Sequence, residues 1–247
     1  MKLHGATALV TGAGGGGHGR HFVEQLIERG AAKVYATARR PELVEIPGAE
    51  VLRLDISDSA SVAAAAAHAG DVDLLVNNAA VSPGVNLVDG DPDTIRSTMD
   101  TNFYGTLAMA RAFAPVLAGH GGGAILNVLS VMAWSSYDGA NAYAASKAAQ
   151  WGLTNALRLE LAGQGTLVST LMIGMAATPT MKAYAAATLG AGMLPEGLLS
   201  DPADNVRAAL DGIEAGEIEI LADTMAIEAK AALAGAPRSF DPFTGVA

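Results

Sequence analysis

Tyr143 and Lys147 stand four residues apart in a stretch with helical spacing, so their side chains share one face. A lysine ammonium beside a phenol favours the phenolate, which would let Tyr143 give and take a proton near neutral pH. Alone, such a pair is most often a solvated helix pair. Ser130 changes the weighing. It lies thirteen residues before Tyr143, at the end of an apolar run, where its hydroxyl can donate a hydrogen bond to an oxygen gaining charge. A second group of residues sits near the N-terminus. Thr11-Gly12-Ala13-Gly14-Gly15-Gly16-Gly17-His18-Gly19 follows a short apolar run and opens a helical stretch. Missing side chains let the backbone approach phosphates, and a helix start offers free N–H groups and the positive end of a dipole. With a strand before it and a helix after it, this run reads as a dinucleotide-binding turn, with Gly12, Gly17, His18 and Gly19 against the cofactor. About twenty residues on, where such a site reads the ribose, the chain carries Arg39 and Arg40 and no acid. An arginine there pairs with a 2′-phosphate and stacks on adenine, so the expected cofactor is NADP.

The elements that must position these groups follow from apolar spacing. Short apolar runs predict strands at 6–10, 34–38, 51–54, 73–76, 124–129, 167–173 and 218–221. Helical spacing predicts helices at 19–29, 59–69, 93–117, 141–162, 203–215 and 225–233. Asp91 or Asp93 is suited to cap the third of these, and Gly30 to end the first. Alternating strands and helices require crossovers and therefore parallel pairing. The expected fold is α/β: a Rossmann-type doubly wound sheet of about seven parallel strands with helices on both faces. Residues 1–247 are expected to form a single dinucleotide-binding and catalytic domain, with a substrate lid at about 175–200.

Composition narrows the function classes. The chain has 247 residues, 51% of them hydrophobic and 16% charged, which excludes a disordered polymer. A net charge of −10 leaves no basic footprint for nucleic acid. There is no cysteine, so thiolate chemistry, disulfides and cysteine-held zinc are excluded. His4, His21, His68 and His120 are scattered without metal-ligand spacing, so no metal site is expected. No apolar run approaches the ~20 residues that a membrane helix needs. A cytoplasmic location is the expectation.

Taken in order, these motifs resemble the short-chain dehydrogenase/reductases, in their compact one-domain branch, from residue 6 to about 223. Thr11 to Gly19 is similar to the family's cofactor turn. Asp55-Ile56 resembles the pair that meets the adenine ring, and Asn77-Asn78-Ala79-Ala80 the stretch along the cofactor, where Asn78 and Ala79 would touch it. Asn102 resembles the family's helix asparagine, and Tyr143-Ala144-Ala145-Ser146-Lys147 its Tyr-x-x-x-Lys motif. The resemblance implies catalytic roles for Ser130, Tyr143, Lys147 and Asn102. Lys147 would also hold the nicotinamide ribose, and Asn102 a water that joins Lys147 to solvent. Gly174 and Thr178 would lie at the carboxamide. Three departures stand out: the glycine turn is one residue longer than usual, His18 replaces an aliphatic residue, and Ile173-Gly174 stands where Pro-Gly is customary.

The expected activity is an NADP-dependent oxidoreductase acting on a neutral, mainly apolar ketone or secondary alcohol. Met132, Trp134 and Tyr137 beyond Ser130 would wall the substrate site. Met175, Met181 and Tyr184 would cover it from the lid, with Leu189, Met193, Leu194, Leu198 and Leu199. Gly190, Gly192 and Gly197 interrupt that segment, as suits a lid. Two other readings compete. A non-catalytic dinucleotide sensor would be signalled by loss of the tyrosine or lysine, and both are present. A 3-oxoacyl reductase for carrier-bound substrates would need a basic docking surface. Lys182 is the only basic residue between Ile173 and Ser200. Small and apolar residues on the two long helices (Ala108, Ala110, Ala112, Ala148, Ala149, Trp151) point to a homo-oligomer, a tetramer or a dimer, since the family pairs these helices between subunits.

Overall fold

The computed structural model describes residues 1–183 and 198–235. Its strands are β1 (Thr7–Thr11), β2 (Lys33–Ala38), β3 (Glu50–Arg53), β4 (Leu74–Asn77), β5 (Ala124–Val128), β6 (Leu167–Met172) and β7 (Glu219–Leu221). All are parallel, in the order β3-β2-β1-β4-β5-β6-β7. The helices are α1 (His18–Glu28), α2 (Ser59–His68), α3 (Pro92–Met99), α4 (Thr106–Gly119), α5 (Asn141–Glu160), α6 (Pro202–Ala215) and α7 (Thr224–Ala232).

The strands read as unbroken apolar runs because both of their faces are covered. Ala8, Val10, Leu74, Val76 and Leu126 face Phe22 and Leu26 of α1 and Val206 and Leu210 of α6. Their neighbours Leu9, Leu75 and Ile125 point the other way, onto Met109 and Phe113 of α4 and Leu157 of α5. The result is a Rossmann-type doubly wound sheet. Ala8 of β1 pairs with Val34 of β2 on one side and Leu74 of β4 on the other, so the winding reverses at β1. The crevice that this reversal opens at the carboxyl ends of β1 and β4 is where such sheets bind ligands.

Local chemistry sets the helix starts. Asp58, Asp91, Asp201 and Asp223 cap α2, α3, α6 and α7 by accepting from the backbone N–H of Ala60, Thr94, Ala203 and Ala226. Each such cap is worth about 1 kcal/mol. Stretch 93–117, expected as one helix, is instead α3, a π-helical turn at Asp100–Gly105, and α4. The wider turn carries Asn102, whose side chain bonds Val81 N and O, both at 2.9 Å, and Ser146 Oγ at 2.8 Å. Gly105 closes the turn where a Cβ would come within 2.8 Å of Ile56. No helix among the described residues is long and apolar enough to cross a membrane.

Candidate active site

The carboxyl ends of β1, β2, β4, β5 and β6 open into one cleft of about 510 Å³. The glycine turn forms one wall. Gly12 and Gly16 flank a short 3-10 turn at Ala13–Gly15, and both have positive φ, at 75° and 66°. Both are positions that favour glycine. A side chain at Gly19 would collide with the Gly12 carbonyl and the Asn78 amide, and one at Gly12 would come within 2.9 Å of the Ala79 Cα. Thr11 fastens the turn to the end of β4. Its hydroxyl accepts from Asn78 N at 2.9 Å and Ala79 N at 3.0 Å, and Asn78 Nδ2 donates to the Thr11 carbonyl at 2.8 Å. Free backbone, a helix start and an open floor fit a dinucleotide pyrophosphate.

Arg39 and Arg40 lie on the rim just past β2, exposed, and Asp55 and Ile56 lie past β3 in the same cleft. A hydrogen bond from the Ser57 hydroxyl holds the Asp55 carboxyl below its usual range, with Arg39 adding to the effect. Gly174 and Thr178 close the far wall. Gly174 N donates to Asp223 Oδ2 at 2.9 Å, and a Cβ at Gly174 would lie within 2.6 Å of Met225. Gly174, the residue after the position that lacks the customary proline, is therefore held by the start of α7.

Ser130, Tyr143 and Lys147 meet at the bottom. The Tyr143 hydroxyl bonds Ser130. Lys147 Nζ donates to Val128 O at 2.9 Å and Gln150 Oε1 at 2.8 Å, and sits 5.6 Å from the centre of the Tyr143 ring. Burial pushes the phenol well above the usual tyrosine range, and the counteracting influence is the Ser130 hydrogen bond. The sequence pointed to Lys147 for that influence. The difference arises because its ammonium is turned toward β5 and Gln150. Burial also pulls Lys147 down to about 7.

His18 lines the cleft at the first residue of α1. Asn205 Nδ2 contacts its Nε2 at 3.2 Å and donates to Ser200 Oγ at 3.0 Å, and Ser200 Oγ donates to Asp223 Oδ2 at 3.1 Å. Burial, with His21 nearby, holds His18 down to about 4. The glycine turn is thus tied to α6 and to the start of α7.

The proposed substrate residues divide. Met181 lines the cleft. Met132 and Tyr137 pack with Ala140, Ala144 and Tyr143 beside it. Trp134 does not line it. Its ring packs edge-on to Trp151 at 6.4 Å with Lys230 of α7 above it, because the short turn after β5 rotates it toward the outer edge of the sheet. Met175 is buried, and its carbonyl accepts from Ser200 N at 2.8 Å. Tyr184, Leu189, Gly190, Gly192, Met193, Leu194 and Gly197 lie outside the described residues. Among those that are described, no group of His, Asp or Glu could hold a metal ion. Sequence reading missed Gln150, Thr106, Asn205, Ser200 and Asp223. A lone buried amide three residues after Lys147 was the one local signal.

A family model described as short chain dehydrogenase matches residues 6–188. The short-chain dehydrogenase cctT of Talaromyces islandicus is 33% identical over 177 residues, 68% of this chain and 62% of that protein, so the chain spans less than two thirds of it. The 3-oxoacyl-(acyl-carrier-protein) reductase FabG of Vibrio harveyi is 31% identical over 223 residues, 85% of this chain and 90% of its own. A solved short chain dehydrogenase from Burkholderia cenocepacia J2315, in complex with NADP, superposes with a TM-score of 0.86 at 35% identity, over 96% of this chain and 95% of its own. A match of that extent, running through the residues that line the cleft, places this chain in the short-chain dehydrogenase family.

Proposed function

We propose that this protein is an NADP-dependent oxidoreductase for a neutral, mainly apolar ketone or the corresponding secondary alcohol, with Tyr143 as general acid and base. The observation that carries the reading is the meeting of Ser130, Tyr143 and Lys147 at the floor of the cleft that the glycine turn and Arg39 also line. Bound NADP supplies or accepts the hydride. In the reducing direction Ser130 donates a hydrogen bond to the carbonyl oxygen, and Tyr143 Oη passes its proton to that oxygen as charge develops. The phenol is then reprotonated from solvent. In the oxidising direction the same atoms take the alcohol proton. Lys147, when charged, spends two donors on Val128 and Gln150 and keeps the third for the cofactor side of the cleft.

The described wall near Tyr143 is apolar, through Met132, Ala140 and Ala144. Residues 175–200 serve as the substrate lid of a single domain in this reading, and the enzyme works as a homo-oligomer. A second reading, reduction of a carrier-bound 3-oxoacyl group, is favoured by a relative that aligns over 85% of the chain. A net charge of −10 argues against an acidic carrier partner.

The test is NADPH oxidation with neutral ketones of increasing apolar size, keto acids and 3-oxoacyl thioesters, each also run with Tyr143→Phe. Neutral ketones should lead, with efficiency rising until the pocket is full. Tyr143→Phe should lose ~10²–10⁴-fold in turnover while still binding NADPH. Leading keto acids would overturn the substrate assignment. More than about a tenth of wild-type activity in Tyr143→Phe would overturn the acid–base role, given the contribution such groups make.

A further inference from the structure

We propose that Gln150 is a positioning residue for the Tyr143–Lys147 pair, holding the Lys147 ammonium with its side-chain oxygen and joining it through Thr106 to the Asn102 carbonyl. The inference rests on the reading of Tyr143 and Lys147 given above. Gln150 lies three residues after Lys147 on the inward face of α5 and is 1% exposed. Its Oε1 accepts from Lys147 Nζ at 2.8 Å, and its Nε2 donates to Thr106 Oγ1 at 2.9 Å. Thr106 Oγ1 in turn donates to the Asn102 carbonyl at 2.9 Å.

The polarity of this chain is set from its far end. A carbonyl can only accept, so the single Thr106 proton goes to Asn102, and the Thr106 oxygen is left to accept. That turns the NH2 end of Gln150 toward Thr106 and its oxygen toward Lys147. Rotating the amide would break two bonds and leave buried groups unpaired. The π turn and the first residue of α4 thereby orient an acceptor at the lysine from more than forty residues away in sequence. The Asn102 side chain is separately engaged, on Val81 and Ser146.

Few other groups face Lys147. Val128 O accepts from it across β5, and Tyr143 lies on its own helix, with Ser130 on the phenol and Tyr137 beyond. Among the described residues no charged side chain contributes to its proton affinity, which burial alone lowers. The amide oxygen and one carbonyl are what hold its charge. Burial sets the Lys147 titration well below that of Tyr143, and reduction needs Lys147 charged beside a protonated phenol. Removing the acceptor weakens that form, and replacing it with a carboxylate strengthens it.

Two near-isosteric variants test this. In Gln150→Met the basic limb of kcat/KM for ketone reduction should fall by about one pH unit, roughly a tenfold loss of proton affinity. In Gln150→Glu it should rise. The same two proteins, carrying 13Cε-lysine and without substrate, give a readout independent of turnover. Lys147 is one of five lysines, and Lys147→Arg identifies its signal. Its titration should move down in Gln150→Met and up in Gln150→Glu. Either variant decides alone if the other fails to fold. A Lys147 titration unchanged from wild type, in an enzyme that reduces ketones through Tyr143, overturns the inference and leaves the activity standing. Shifted titrations in a protein that reduces no ketone support the inference and overturn the activity.

Discussion

Arg39 sits on the rim of the cleft with its charge exposed, and Asp55, on which it acts, lies past the neighbouring strand with its own hydrogen bonds to Ser57. An exposed guanidinium gains little from a carboxylate across solvent. It gains much more from a phosphate, because charge-assisted bonds are worth about 1.5–3 kcal/mol. Arg39→Ala should therefore cut kcat/KM with NADPH by ~10- to 100-fold and leave NADH nearly unchanged. Equal losses with both cofactors would show that Arg39 supports the fold and not the phosphate. His18 gives a different kind of prediction. The folded protein holds its imidazole down to about 4, chiefly by burial, whereas the unfolded chain protonates it near the ordinary value of about 6.5. Between these values the unfolded state binds more protons, so stability falls as pH drops from about 6.5 to about 4. The penalty is on the order of 3 kcal/mol when complete, and it is absent above pH 6.5. His18→Gln should show a smaller drop in melting temperature between pH 7 and pH 4.5 than wild type, measured without cofactor. An identical drop in the two proteins would mean that His18 is not held neutral.

Strands and helices were legible because each carries a strong local pattern: apolar runs for β1 and β4, and helical spacing closed by Gly30 for α1. The meeting of Ser130, Tyr143 and Lys147 was legible for the same reason, since Tyr143 and Lys147 share one helix and Ser130 follows one strand. The π turn was not, because one wide turn inside a long apolar stretch shifts the helical spacing too little to read. The contacts of Gln150, Asn205 and Trp134 were not legible because they are made with distant partners. Asn205 meets His18 across 187 positions, Gln150 meets Thr106 across 44, and Trp134 turns toward Trp151 and Lys230. The glycine turn shows both sides. Its existence is local, but its tightness is set by Asn78 and Ala79 on another strand. Gly19→Ala should therefore do more than the usual glycine replacement in a helix, which tends to stabilise. The methyl group meets the Gly12 carbonyl and the Asn78 amide, so either the turn or the end of β4 must shift. Overpacking of this kind costs about 1–3 kcal/mol. Denaturant unfolding should show that loss, and fluorescence titration should show weaker NADPH binding. Wild-type values in both would mean that the turn is looser than this packing implies.

Among the described residues, one face of α5 has no partner in the subunit. Of the small and apolar residues that suggested association, Ala110 is fully buried, Ala108 and Ala112 pack against the inner core, and Trp151 is taken up by Trp134. What remains outward on α5 keeps Ala148 and adds Ala145, Gly152, Ala156 and Leu159, spaced by three and four residues along a single stripe. Leu159 is 81% exposed, and Tyr104 on the π turn is 57% exposed. Small side chains let two helices approach to the short end of the usual 8–10 Å range, and a two-fold axis would bring this stripe against its own copy. The net charge of −10 on each copy opposes that contact, so association should strengthen as salt screens the repulsion. Light scattering at micromolar concentration should therefore give the mass of a dimer or tetramer, held most firmly at high ionic strength. Gly152 offers a clean way to test the face. Among the described residues nothing lies within 4 Å of where its Cβ would stand, and the position is exposed, so a side chain can leave the helix there. Gly152→Arg should leave the fold intact by circular dichroism and lower the mass. A wild-type monomer would refute the association, and an unchanged mass in Gly152→Arg would move the contact to another face.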